Sequence, residues 1–226
     1  MKRYAIVGSS RGTGLEIAKR LAFEGNSVRA ISRHPPAASA LIEPFAADVT
    51  DQAAMERALE AQFDAIFFTV DVTGGIGGRG LFGSRKYLRE VTYQGCLNAI
   101  AAASRHRPLP TFTLLSVIGA DSTSFAWSVL NAVKRGLKQI ILDREQALTQ
   151  GDLPYVIVRA PVLTDEVGGK TPIAATKPSH KLDSKLKIAR ADLAKAMIQA
   201  AKHAPPRSTW DVFAGESDGA PAWLTA

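Results

Sequence analysis

The sequence predicts a three-layer α/β protein: a doubly wound parallel sheet with helices packed on both faces. Three observations carry that expectation. Short apolar runs alternate with longer amphipathic stretches along the whole chain. Several of those runs are apolar without strict alternation, the pattern of strands buried on both faces. The first run opens directly into a glycine-rich turn and a helix, the unit from which parallel sheets are built.

Residues 4–7 form the first apolar run, ending at Gly8. Apolar residues at 15, 17, 18, 21 and 22 keep helical spacing, so a helix is expected over 15–24. Gly25-Asn26 is a good stop for it, because both residues accept the left-handed backbone that ends helices. Residues 28–32 read as the second strand and 51–62 as a helix. The run 65–70 reads as a strand buried on both faces, followed by a long helix over about 85–105. A buried strand is expected at 112–117, a helix at about 129–149 ending at Gly151, and a strand at 155–159. A helix at 191–203 and a short strand at 210–213 complete the pattern. Crossovers between such strands should be right-handed.

No repeat or dividing linker interrupts this order, so residues 1–226 are expected to form a single domain. Two segments are irregular: about 71–84, with six glycines, and about 164–187, with several Lys, Thr and Pro. Each follows a strand, and open α/β sheets bind ligands at the C-terminal ends of their strands. The first segment could equally be a gating lid or an ordinary mobile loop.

Composition narrows the class. With 46% hydrophobic and 22% charged residues the chain is not of the disordered type, and 226 residues suffice for a core without staples. A single cysteine, Cys96, rules out an intramolecular disulfide and points to a reducing compartment. No run of about 18 apolar residues suggests a membrane span. Met-Lys-Arg-Tyr leads straight into the first strand, which is not how a signal peptide reads, so a cytoplasmic location is expected. The net charge of +7 suits either nucleic acid or a small polyphosphate. Its densest stretch (Lys170, Lys177, Lys181, Lys185, Lys187) does not alternate with aromatics, so no nucleic-acid partner is expected. Histidines 34, 106, 180 and 203 show no metal-ligand spacing, and no metal is expected. The absence of Gly-x-Ser-x-Gly sets aside an α/β-hydrolase.

The strongest local signal is Ala5-Ile6-Val7-Gly8-Ser9-Ser10-Arg11-Gly12-Thr13-Gly14-Leu15, lying between the first strand and the first helix. That is the context a dinucleotide fingerprint requires. Gly8 permits the tight turn, Gly12 lets the backbone approach a pyrophosphate, and Gly14 allows close packing of helix on strand. The helix N-terminus offers free N–H groups to the phosphates. Gly8, Ser10, Arg11, Gly12, Thr13 and Gly14 are therefore expected to hold the cofactor. NAD sites usually carry an acid at the end of the second strand. Here that strand runs into Ser32-Arg33-His34, and Arg33, helped by Arg11, suits a 2′-phosphate instead. NADP(H) is expected in preference to NAD(H).

These residues resemble the atypical short-chain dehydrogenase/reductases, specifically the NAD(P)-binding group with NmrA-like proteins and biliverdin IXβ/flavin reductases. The likeness covers most of the chain and implies a Rossmann-like fold. It implies that Asp48-Val49 contacts adenine, that Thr69-Val70 lies beside the nicotinamide ribose, and that Ser116 is the fifth-strand serine. Val91-Thr92-Tyr93-Gln94-Gly95 is similar to a helix segment ending in a close-packing glycine. Val158-Arg159-Ala160-Pro161 resembles an Arg-Pro turn, with Pro161 at the cofactor, and Ala191-Asp192-Leu193-Ala194 the late helix start. One departure stands out. Family members of the standard kind use Tyr-x-x-x-Lys, and the residues four before Lys134 and Lys138 are Leu130 and Lys134. The usual proton donor is missing.

Ser116 and Lys134 are the candidate catalytic residues. Ser116 reads either as a donor to substrate or as a strand-end serine, and Lys134 either as a ribose contact or as a solvated helix lysine. Phe82, Tyr87, Phe125 and Trp127 would line an apolar or aromatic substrate pocket, or simply pack in the core. Taken together, the expectation is an NADPH-dependent oxidoreductase acting on a small planar or carbonyl acceptor: quinone, flavin, enone or ketone. The alternatives are a non-catalytic NADP(H) sensor and an epimerase or isomerase that retains its cofactor.

Overall fold

The computed structural model describes residues 1–70, 85–133, 136–216 and 220–225. The expected loop at 71–84, with Phe82, and the candidate Lys134 lie outside the described residues. The main sheet, among the described residues, has eight strands in the order β3-β2-β1-β4-β5-β6-β10-β8. They are β1 (Arg3–Val7), β2 (Ser27–Ser32), β3 (Ile42–Ala46), β4 (Ala65–Phe68), β5 (Thr111–Val117), β6 (Tyr155–Ala160), β8 (Ile173–Thr176) and β10 (Ser208–Ala214). A small parallel pair joins β7 (Val162–Thr164) to β9 (Lys187–Ala189). All pairings in the main sheet are parallel except β10 with β8. This is the expected Rossmann-like architecture.

Helices cover both faces. On one lie α1 (Gly12–Phe23), α7 (Arg190–His203) and the short α8 (Ala222–Thr225). On the other lie α2 (Gln52–Ala58), α4 (Gly95–Ala103) and α6 (Leu137–Gln150). Alternation along each strand feeds two cores. Ile6, Phe67 and Val158 pack with Ile17, Leu193 and Met197 under α1 and α7. Val7, Phe68 and Leu114 pack with Met55, Cys96 and Leu148 under α2, α4 and α6. Adjacent Phe67 and Phe68 thus serve opposite layers, which is why β4 reads as a continuous apolar run.

The structure differs from the sequence pattern in four places, each with a local cause. β3 was not anticipated, because its Glu43 and Pro44 are exposed and Pro44 sits on an edge strand that tolerates the missing N–H. The helix expected at 129–149 is two helices, α5 (Phe125–Val133) and α6, with Gly136 at φ 80° before α6. The helix expected at 85–105 is α3 (Arg85–Arg89), a π turn (Glu90–Gln94) and α4 in unbroken succession. The segment 164–187 contains β8 and the start of β9; β8 runs back antiparallel along β10.

Candidate functional site

The loop between β1 and α1 is built by three separate demands for glycine. Gly8 has φ 100°, and a Cβ there would lie 2.8 Å from Thr69 Oγ1. Its N–H, with that of Ser9, donates to the Ile31 carbonyl at the end of β2. Gly12 has φ 59°. A Cβ on Gly14 would fall 2.3 Å from the Gly8 carbonyl oxygen, so helix and turn touch only because that position is bare. Thr69 completes the fastening, donating its hydroxyl to the Val7 carbonyl at 3.1 Å. The site expectation placed Thr69 beside a ribose; its hydroxyl here ties the end of β4 to the turn.

Several polar groups around this turn have no partner among the described residues. The N-terminus of α1 has neither an acid in its first turn nor a capping side chain, so no described residue answers its partial positive charge in either of those ways. The hydroxyls of Ser9, Thr13 and Ser32 are buried and have no hydrogen-bond partner among the described residues. An unmade buried hydrogen bond costs about 1–3 kcal/mol, so three of them around one helix N-terminus fit a ligand rich in oxygen acceptors. Ser10 and Arg11 are exposed on the turn. Arg33 is exposed two residues past Ile31, whose carbonyl the turn itself holds.

On the side of α2 and α4, Asp48 accepts from the Thr50 N–H and hydroxyl at 2.9 and 2.8 Å, closing a small turn. Val49 lies against Gly95, where a Cβ would be 2.6 Å from Val49 Cγ2. Buried Asn98 donates to the Val49 carbonyl at 2.8 Å. Gly95 is therefore the close-packing glycine that the resemblance implied.

The C-terminal ends of β5 and β6 carry a buried charged cluster that sequence reasoning did not foresee. Ser116, 3% exposed, donates its hydroxyl to Glu145 Oε1 at 2.5 Å. Arg159 grips the same carboxylate, Nε to Oε1 at 3.2 Å and Nη2 to Oε2 at 2.7 Å, and reaches Asp121 through Nη1 at 2.6 Å. Burial would raise the Asp121 carboxyl, but the hydrogen bond and charge of Arg159 outweigh it and hold that group low. Burial would likewise lower the Arg159 guanidinium, yet its two carboxylates raise it. Ser116 has one proton, and Glu145 takes it, so toward a substrate this hydroxyl is an acceptor. Arg144, also buried, donates to the Leu115 carbonyl at 2.8 Å and to the Val70 carbonyl at 3.4 Å, bracing the ends of β5 and β4. Pro161 follows β6 and is buried.

In register, Ser116 faces Arg159, Arg159 faces Asp211, and Asp211 faces Thr176 across four strands. Asp211, 1% exposed, accepts from the N–H groups of Ser179 and His180 at 3.0 Å, and its Oδ2 lies 3.3 Å from His180 Nδ1. The signal available in sequence was the pair Arg144-Glu145, charged residues at positions that share the apolar stripe of Ile141 and Leu148. No spacing links 145 to 116, 159 and 211. Trp127 is core, donating to the Ile118 carbonyl, while Phe125 is 85% exposed. Among the described residues no group of three or more metal-ligating side chains converges, and no helix is long and apolar enough to cross a membrane.

A family model described as NAD(P)H-binding matches residues 8–204. A sequence search of curated proteins finds no match. Similar solved structures include an NAD-dependent epimerase/dehydratase from Bacillus halodurans, described as putative, 18% identical over 96% of each chain with a TM-score of 0.74. The anaerobillin reductase ChuY from Escherichia coli O157:H7 is 19% identical, covering 97% of this chain and 100% of its own, at TM-score 0.69. A short-chain dehydrogenase/reductase from Veillonella parvula, solved in complex with NADP, is 14% identical over 97% of each chain at TM-score 0.72.

Proposed function

This chain belongs to the NAD(P)H-binding family, and from that premise we propose that it is an NADPH-dependent oxidoreductase delivering hydride to a small planar or carbonyl acceptor. The observation that carries the reading is the β1–α1 turn, where an uncapped helix N-terminus stands among three buried, unpartnered hydroxyls. Gly8, Ser10, Gly12, Thr13 and Gly14 would hold the pyrophosphate, Asp48 and Val49 the adenine, and Thr69, Val70, Pro161 and Lys134 the nicotinamide half. Arg11 and Arg33 would bind the 2′-phosphate and select NADP(H) over NAD(H), since Arg33 stands where an NAD site has a carboxylate. The dinucleotide supplies the hydride. The chain's own part is to orient the ring on the braced ends of β4, β5 and β6, where Arg144 fixes two strand-end carbonyls and Ser116 offers a lone pair.

Missing Tyr-x-x-x-Lys favours acceptors such as quinones or flavins, whose reduction needs no dedicated acid in the site. Two structural neighbours support reductase chemistry by what they are called, one a reductase and one bound to NADP. The engagement of the Ser116 proton by Glu145 favours a second reading, a non-catalytic NADP(H) sensor. The test is a titration with NADPH and NADH on wild type and Arg33→Ala, followed by a quinone, flavin, enone and ketone panel monitored by nicotinamide absorbance. The reading expects NADPH binding at least tenfold tighter than NADH, that preference lost in the variant, and turnover. Binding without turnover selects the sensor, and no binding of either nucleotide refutes both.

A further inference from the structure

Arg190 reaches the cofactor turn from a distant part of the chain. It is the first residue of α7, and its Nε and Cδ lie 3.3 and 3.4 Å from where a Gly12 Cβ would be. Gly12 is the first residue of α1, so this guanidinium rests against the helix end that has no acid and no cap. Ser9 and Thr13, with buried unpartnered hydroxyls, belong to the same turn. The fixed partner of Arg190 is Asp165, whose Oδ1 accepts from Nη1 at 2.8 Å. Strand pairing explains that contact, since Thr164 and Ala189 are register partners in β7 and β9 and the two charged residues come next. The carboxylate is 88% exposed, the weak kind of ion pair that water and salt erode.

We propose that Arg190 is a phosphate-binding arm of the dinucleotide site and that Asp165 holds it in reserve. An entering pyrophosphate brings two charged oxygens to a guanidinium already beside Gly12, and the arginine fork matches phosphate as well as carboxylate. The exchange of Asp165 for phosphate unfastens the segment 164–187 just past its first residue, where β7 ends. Cofactor binding thereby loosens the chain leading to β8, the edge strand on the far side of the sheet. This inference rests on the dinucleotide reading above and adds a coupling between that site and a second segment.

The experiment compares wild type, Arg190→Ala, Arg190→Lys and Asp165→Asn by fluorescence titration with NADPH and NADP⁺, with melting temperatures as a folding control. Arg190→Ala is expected to weaken both nucleotides at least tenfold, and Arg190→Lys to recover part of the loss. Asp165→Asn is expected to tighten both severalfold, because the competing negative charge is gone and the amide oxygen that remains is a weaker rival to phosphate. Trypsin cleavage at exposed Lys170 is expected to speed up with NADP⁺ in wild type, and to be fast with or without it in Asp165→Asn. Binding by Arg190→Ala within twofold of wild type overturns the proposal, as does weaker binding by Asp165→Asn or protection of Lys170 by NADP⁺. If wild type binds neither NADPH nor NADH, the dinucleotide reading has failed, an outcome distinct from these.

Discussion

Glu145→Gln is the substitution that tests the buried cluster most directly. Glu145 accepts three hydrogen bonds, one from Ser116 and two from Arg159, and both charged side chains are 8% exposed. Glutamine keeps the shape and one acceptor oxygen, but its amide nitrogen must face a guanidinium N–H whichever way the amide is turned. A donor then opposes a donor, and among the described residues Asp121, whose side chain is 55% exposed, is the carboxylate that Arg159 keeps. Breaking a buried ion pair by removing one partner costs about 3–5 kcal/mol. Asp121 still screens the guanidinium, so about 3 kcal/mol is expected. For a chain of this size that corresponds to a fall in Tm of roughly 6–12 °C. Urea unfolding followed by tryptophan fluorescence measures it, with melting by circular dichroism as the second readout. The double variant Glu145→Leu with Arg159→Met removes both charges and should recover most of the loss. A single-variant loss below about 1 kcal/mol would refute the reasoning, since the carboxylate would then not be balancing a buried charge.

Other contacts in the fold carry their own expected outcomes. Gly14→Ala should destabilise by about 1–3 kcal/mol and weaken NADPH at least tenfold, because its methyl meets the Gly8 backbone carbonyl rather than a movable side chain; unchanged unfolding and binding would contradict the packing. Burial pushes the Cys96 thiol from 9.0 to about 12 and, with nearby carboxylates, the Tyr4 phenol from 10.0 to about 12. Folded values above unfolded ones mean this stability is complete below pH 9 and is lost as pH rises from 9 to 12; urea midpoints should fall over that window, and less steeply in Cys96→Ala. Glu43 is held low, chiefly by its hydrogen bond from Arg29 with burial opposing, so its contribution is present above the ordinary value of 4.5 and lost as pH falls below it. Glu43→Gln should flatten the acid limb of a plot of midpoint against pH, and an unaltered limb would remove Glu43 from the account.

The layers, the parallel sheet and the glycine turn were legible in the order of amino acids alone. Those features rest on short-range physics: a strand's apolar run must be covered on both faces, and a turn with positive φ at Gly8 and Gly12 needs glycine whatever lies elsewhere. Gly14 and Gly95 were readable as bare positions, although what they touch, the Gly8 carbonyl and Val49, came only with the fold. The rest was set by packing between distant segments. β3 is a strand because β2 offers it an edge, against the preference of Pro44, and β8 exists because β10 had an unpaired side. Ser116, Glu145, Arg159 and Asp121 meet because α6 packs against both β5 and β6, and Arg190 reaches Gly12 because α7 packs beside α1. Periodicity reports which face of an element is buried, but a charge at a buried position states only that it needs a partner, and the partner is chosen by the packing of distant segments.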